Sequence, residues 1–152
     1  MTESESHQYF SAHCFNEVWR LLEIPQRSEE ESLLMRDAAH ASLYHWKQRE
    51  DCQPQNLSIG LWALARVYAV LEKGEEAMQY ASACIELSET EDLAPFYLGY
   101  AFEAAARAAQ SAGNTRERDE HLKKATQLLA LVESEEERSM LEADLVDLKT
   151  QR

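Results

Sequence analysis

The sequence predicts an all-α protein of about seven antiparallel helices packed as hairpins, and three observations predict it. Apolar residues recur at three- and four-residue steps almost from end to end. No segment sustains the two-residue alternation of a half-buried strand. Only 4 glycines and 3 prolines punctuate the 152 residues, too few for the turns of a sandwich or barrel. The length suits one domain able to bury a real core. An apolar share of 45% and a charged share of 28% are those of a folded globular chain.

The helices follow from their start and stop signals. The first spans roughly 7–23, with Phe15, Val18, Trp19 and Leu22 on one stripe, and Pro25 ends it. Ser28 and Glu31 form a capping box that opens the second, which runs through Leu34, Ala38, Ala41 and His45 to about residue 50. After the break at Asp51–Pro54, a third helix covers roughly 55–73, with Leu57, Leu61, Leu64, Tyr68 and Leu71 aligned. Gly74 marks a turn into a fourth helix ending near Leu87, with Ala77, Ala81, Cys84 and Ile85 inward. The fifth, roughly 92–112, is rich in alanine, which lets neighbouring helices approach closely. Gly113 and Asn114 are a stop and a start, with Glu117 at the third position of the sixth helix. Ser134 and Glu137 open the seventh, whose narrow stripe of Leu141, Leu145 and Leu148 reads as an end helix with one buried edge.

Charge and cysteine content bound the function. Against 15 bases stand 28 acids, a net charge of −13, so nucleic acid is not expected as a partner. The acidic amino terminus is unlike a secretory signal, and no stretch nears the roughly 18 apolar residues that span a bilayer. Cys14, Cys52 and Cys84 lie far apart and form no CxxC pair. They are expected to be reduced thiols in a cytoplasmic protein.

The segment from Leu64 to Leu87 resembles a tetratricopeptide (TPR) unit. Leu64, Ala65, Tyr68, Ala77 and Cys84 fall on the family's large-small pair, aromatic and two small positions. Glu72 stands at the usual glycine, Gly74 and Ala81 at usual aromatics, and no proline closes the unit. A second, weaker copy lies about 41 residues on, a period longer than the family's ~34. There Ala105, Ala106, Gly113, Leu122 and Ala125 fit, but Arg118 replaces an alanine. The strings Ala39–Trp46 and Ala65–Leu71 are also similar to a group of uncharacterised bacterial TPR-like proteins. The resemblance implies a short right-handed superhelix of hairpins. Residues 1–6 would be a disordered tail and 7–53 a degenerate first hairpin. Residues 54–89 and 90–132 would be the two units, and 133–152 a capping helix.

The resemblance also implies a function, the binding of a protein or peptide on the concave face of the A helices. The family's face positions fall on Ile59, Trp62, Arg66, Ala69 and Val70, then on Tyr100, Glu103, Arg107, Gln110 and Ser111. His13, Glu17 and Arg20 form the matching stripe on the first helix by spacing. Arginines there would clamp carboxylates, favouring an acidic or carboxylate-ended segment, with Trp62 and Tyr100 as apolar anchors. The alternative is that Arg66 pairs with Glu103 and Arg20 with Glu17 internally, and that Trp62 is core. A homodimer through the aromatic first helix or the seventh helix is a second possibility.

Chemistry is weakly signalled. His40 and His45, five apart, point about 140° away from each other and cannot share a metal without a partner such as His13. Trp46 beside Tyr44 and His45 could wall an aromatic pocket, although helical spacing favours core. Glu50 and Asp51 would raise the Cys52 thiol and blunt it. With no phosphate loop, HExxH or GxSxG motif, neither an enzyme nor a cofactor is expected; the alternative is a small-ligand or metal-binding protein or enzyme centred on His13, His40 and His45.

Overall fold

A computed structural model of the chain describes residues 1–150. They form seven helices: α1 Glu3–Leu22, α2 Glu29–Gln48, α3 Pro54–Val70, α4 Gly74–Thr90, α5 Pro95–Ser111, α6 Thr115–Leu129 and α7 Glu135–Thr150. No strand occurs among the described residues. The all-helical hairpin architecture expected from periodicity is therefore the one observed.

Local chemistry sets the boundaries. Ser28 accepts from the Glu31 amide while Glu31 accepts from the Ser28 amide, as the spacing foretold. Asn114 caps α6 by accepting from the Glu117 amide, and its side-chain amide donates to the Glu117 carboxylate. The expected disordered tail at residues 1–6 is instead helical from Glu3 onward. Thr2 and Glu5 form a capping box, so α1 begins at Glu3.

Three helix ends share one device. The amides of Lys73, Leu93 and Asn114 reach back to the carbonyls of Tyr68, Ser88 and Ala109 at 2.9, 3.0 and 2.9 Å. Each closure needs a left-handed residue just before it. These are Glu72 (φ 61°), Asp92 (φ 49°) and Gly113 (φ 76°). Glu72 thus holds a left-handed conformation that glycine would adopt without strain.

Packing follows the hairpins. Val18, Leu21, Met35 and Leu43 of α1 and α2 bury themselves against Leu64 and Val67 of α3. Trp62, Ala65, Ala77, Ala81 and Cys84 pack against the alanines of α5. Phe102, Ala125, Leu141 and Leu145 close the far end between α5, α6 and α7. Helix α5 touches α3, α4, α6 and α7, which explains its composition. Ala101, Ala105, Ala106, Ala108 and Ala109 are fully buried because neighbours stand on every side. Buried hydroxyls mark two crossings. Ser58 meets Ser88 at 2.8 Å between α3 and α4, and Ser42 donates to the Ser11 carbonyl at 2.8 Å between α2 and α1.

The odd-numbered helices meet one another beyond these hairpins. Helix α5 packs on both α3 and α7. Trp19 of α1 lies 5.6 Å from Trp62 of α3, and Trp62 lies 5.4 Å from Tyr100 of α5. This shared face positions the candidate site.

Candidate functional site

The face made by α1, α3, α5 and α7 carries an ion cluster and two hollows. At its centre is Glu103, a carboxylate with no solvent exposure. Its Oε2 accepts from the Trp62 indole at 2.8 Å, and its Oε1 from Arg66 Nη2 at 2.9 Å and from Arg107 Nε. A buried carboxylate must be met by donors, and three converge on this one.

Helix α7 completes the cluster. Asp144 accepts from the Tyr100 hydroxyl at 2.7 Å and from Arg66 at 3.3 Å. Arg107 reaches Asp147 at 3.1 Å and the Asp144 carbonyl at 3.2 Å. Burial opposes the charge on Arg107, but Glu103, Asp144 and Asp147 outweigh it and hold the guanidinium's proton more tightly than usual. Burial, and then Asp144, push the Tyr100 hydroxyl well above its ordinary value, so it stays a donor.

Trp62, Arg66, Tyr100, Glu103 and Arg107, expected together on one face, are brought together. They meet one another rather than open solvent. The expected carboxylate clamp already holds carboxylates, those of Glu103, Asp144 and Asp147. Arg66 also lies over the Trp62 ring at 5.3 Å. Glu17 and Arg20 pair on the surface of α1 at 3.0 Å, and Arg20 holds the Glu17 carboxyl below its usual range. His13 is exposed and stacks on Tyr9, outside the face.

The first hollow, of about 400 Å³, lies beside the cluster. Phe15 and Trp19 of α1, Ile59 and Trp62 of α3, Phe96, Tyr97 and Tyr100 of α5, and Met140 of α7 wall it. Asp144 and Ser58 add its polar edge. A volume of that size fits one or two bulky side chains. The second hollow, about 790 Å³, adjoins it across Trp19. It is polar, with Glu23, Arg27, Arg66, Glu72, Arg107 and Asp147 among its walls.

The remaining expected site residues do not converge. His40 Nε2 is 2.9 Å from the Tyr68 hydroxyl, across the α2–α3 contact. His45 Nδ1 is 2.9 Å from His7 Nδ1, so one ring donates and the other accepts. Trp46 lies under the Arg49 guanidinium at 3.9 Å. His40, His45 and Trp46 therefore each face a different neighbour, Tyr68, His7 and Arg49. Among the described residues no three His, Cys, Asp or Glu side chains are placed to hold a metal ion. No helix of the described residues is long and apolar enough to cross a membrane.

Sequence reasoning missed Phe96, Met140, Asp144 and Asp147, and placed Phe15 and Trp19 only on the apolar stripe of the first helix. A signal for Asp144 existed. Trp62 and Glu103 are 41 residues apart, and the same interval again leads from Glu103 to Asp144. Treating α7 only as a cap hid the third position of that series. Compared with protein-family models, with curated proteins and with solved structures, the chain matches none.

Proposed function

We propose that the chain is a TPR-like protein- or peptide-binding module whose binding face is the one made by α1, α3, α5 and α7. The aromatic hollow carries this reading. Four helices contribute to it, and its side chains are of the kinds that anchor partners: Trp, Tyr, Phe and Met. Ile59, partly exposed, belongs to none of the buried clusters, so core packing alone does not account for it. The 41-residue recurrence of Trp62, Glu103 and Asp144 supports a repeat origin for the face. The ion cluster serves to fix α3, α5 and α7 in register, and binding rather than catalysis is its consequence. The thiols of Cys14, Cys52 and Cys84 form no disulfide, which suits a reducing cytoplasm.

The test is capture from lysate of the source organism by wild type, Ile59→Asp and Met140→Glu, with partners quantified by mass spectrometry. The expected outcome is a defined set of proteins lost with both variants and retained by Glu29→Lys on α2, outside the face. Identical sets from all four proteins would end the reading.

A second reading is self-association through the amino-terminal hairpin. Tyr9, Phe10 and Tyr44 are 50%, 39% and 57% exposed, and together they offer an aromatic patch. Light scattering over a range of concentrations tests it. A mass that stays that of one chain excludes this reading.

A further inference from the structure

Resting on that reading, we infer that the bound segment is basic. It carries a bulky apolar anchor for the aromatic hollow and a Lys or Arg about two residues away, for the polar hollow beside it.

The charges left over in the polar hollow select a cation. Arg66 and Arg107 are engaged by carboxylates, while Arg27 is held by backbone carbonyls alone. Arg27 Nη1 donates to the carbonyls of Leu21, Leu22 and Ile24 at 3.2, 3.1 and 3.1 Å. Arg66 serves Glu103 and Asp144, and Arg107 serves Glu103, Asp144 and Asp147. Glu23 and Glu72 line the same hollow, are exposed, and make no ion pair with any described residue. An anion entering here would meet two exposed carboxylates against one guanidinium, Arg27, that no carboxylate neutralises. An ammonium or guanidinium would meet carboxylates with room to turn towards it.

Backbone polarity adds an independent argument in the same direction. Helices α1, α3 and α5 end at Leu22, Val70 and Ser111, and all three terminal residues line this hollow. Parallel helices bring their carboxyl ends together there. Each end carries about half a negative charge on its last carbonyls; Arg27 already answers that of α1, and those of α3 and α5 remain to favour a cation. The net charge of −13 steers a basic segment from a distance in the same sense.

The spacing follows from α1. Along α1 the first hollow is lined from Phe15 to Trp19 and the second from Trp19 to Glu23, so the midpoints of these linings lie about four residues apart. At ~1.5 Å per residue that is about 6 Å. An extended chain covers it in about two residues at ~3.3 Å each. The anchor and the cation therefore stand about two positions apart, with the anchor aromatic or long and aliphatic.

The experiment selects a displayed library of random peptides on the full-length protein. One enriched peptide is then synthesised and titrated by fluorescence anisotropy against wild type, Ile59→Asp and the double variant Glu23→Lys/Glu72→Lys, each checked for helicity. Enriched peptides are expected to pair a bulky apolar residue with Lys or Arg at the stated spacing. The double variant is expected to weaken binding about tenfold, as should a rise from low to high salt. Enrichment of acidic or carboxylate-ended peptides would overturn the inference, as would affinity indifferent to the double charge reversal. If that indifferent peptide is still lost with Ile59→Asp, the binding face stands and only the basic preference falls. If no peptide is enriched, or binding ignores Ile59→Asp, both fall.

Discussion

Trp62 on α3 donates its indole N–H to the buried carboxylate of Glu103 on α5 at 2.8 Å. The two residues stand 41 positions apart in sequence. Their bond ties the wall of the aromatic hollow to the ion cluster behind it. Whatever shapes the cluster therefore also sets the pose of the ring that a ligand would touch.

Glu103 should accordingly be the most costly side chain on the face to remove. Glu103→Ala strands two arginines and an indole and should destabilise the protein by about 3–5 kcal/mol, because charges buried as a set depend on one another. Glu103→Gln keeps an acceptor oxygen and should cost less, about 1–3 kcal/mol. Urea unfolding of both variants measures the difference. Equal costs would mean that packing, not charge, holds this position.

The left-handed residue at the end of α3 offers a stabilising change. Glu72 adopts φ 61°, which strains a side chain bearing a Cβ. Glu72→Gly should raise stability by up to about 1 kcal/mol, the relief of that strain less the added entropy of the unfolded glycine. Thermal unfolding should show a higher midpoint for the variant.

The histidines set an acid limit. Burial first, and then neighbouring cations, hold His40 and His45 below the ordinary value of 6.5. A histidine with a lowered folded value binds its proton more readily when unfolded. Its contribution is thus present above about pH 6.5 and is lost as pH falls below it. The stability gap between wild type and His40→Gln should narrow steadily as the pH drops through that window. A gap independent of pH would contradict the assignment.

The thiols should differ sharply in reactivity. Burial pushes Cys84 up to about 11, and the residue has no exposure. Cys14 and Cys52 are only partly buried, their thiols raised chiefly by burial. Iodoacetamide at mildly alkaline pH should label Cys14 and Cys52 in the native protein and Cys84 only in denaturant, as read by peptide mass spectrometry. Labelling of native Cys84 at a similar rate would place it elsewhere.

Much of the architecture was legible because local signals and tertiary demands coincide. Ser28 and Glu31, Asn114 and Glu117, and the alanine run of α5 each point to one structure at every level. The face was legible in part, since repeat logic placed Trp62, Arg66, Tyr100, Glu103 and Arg107 together. Helical spacing says which face a residue occupies, but not what stands opposite. It could not show that Asp144 and Asp147 would answer the arginines, that His7 would meet His45, or that Tyr68 would meet His40. The same limit left Phe15 and Trp19 as members of an apolar stripe, without showing that they pack on the core and also wall the hollow. Glu23 and Glu72 look like any exposed acids until the helix ends beside them are assembled.

The central claim is that ligands seat against Trp19 and Trp62. Trp46, the third tryptophan, lies under Arg49 and lines neither hollow. The direct measurement is a ¹H–¹⁵N spectrum of the three indole N–H groups during titration with a library-selected peptide. The Trp19 and Trp62 signals should move in step with occupancy while that of Trp46 stays in place. Movement of Trp46 alone, or of none of the three at saturation, would contradict the account.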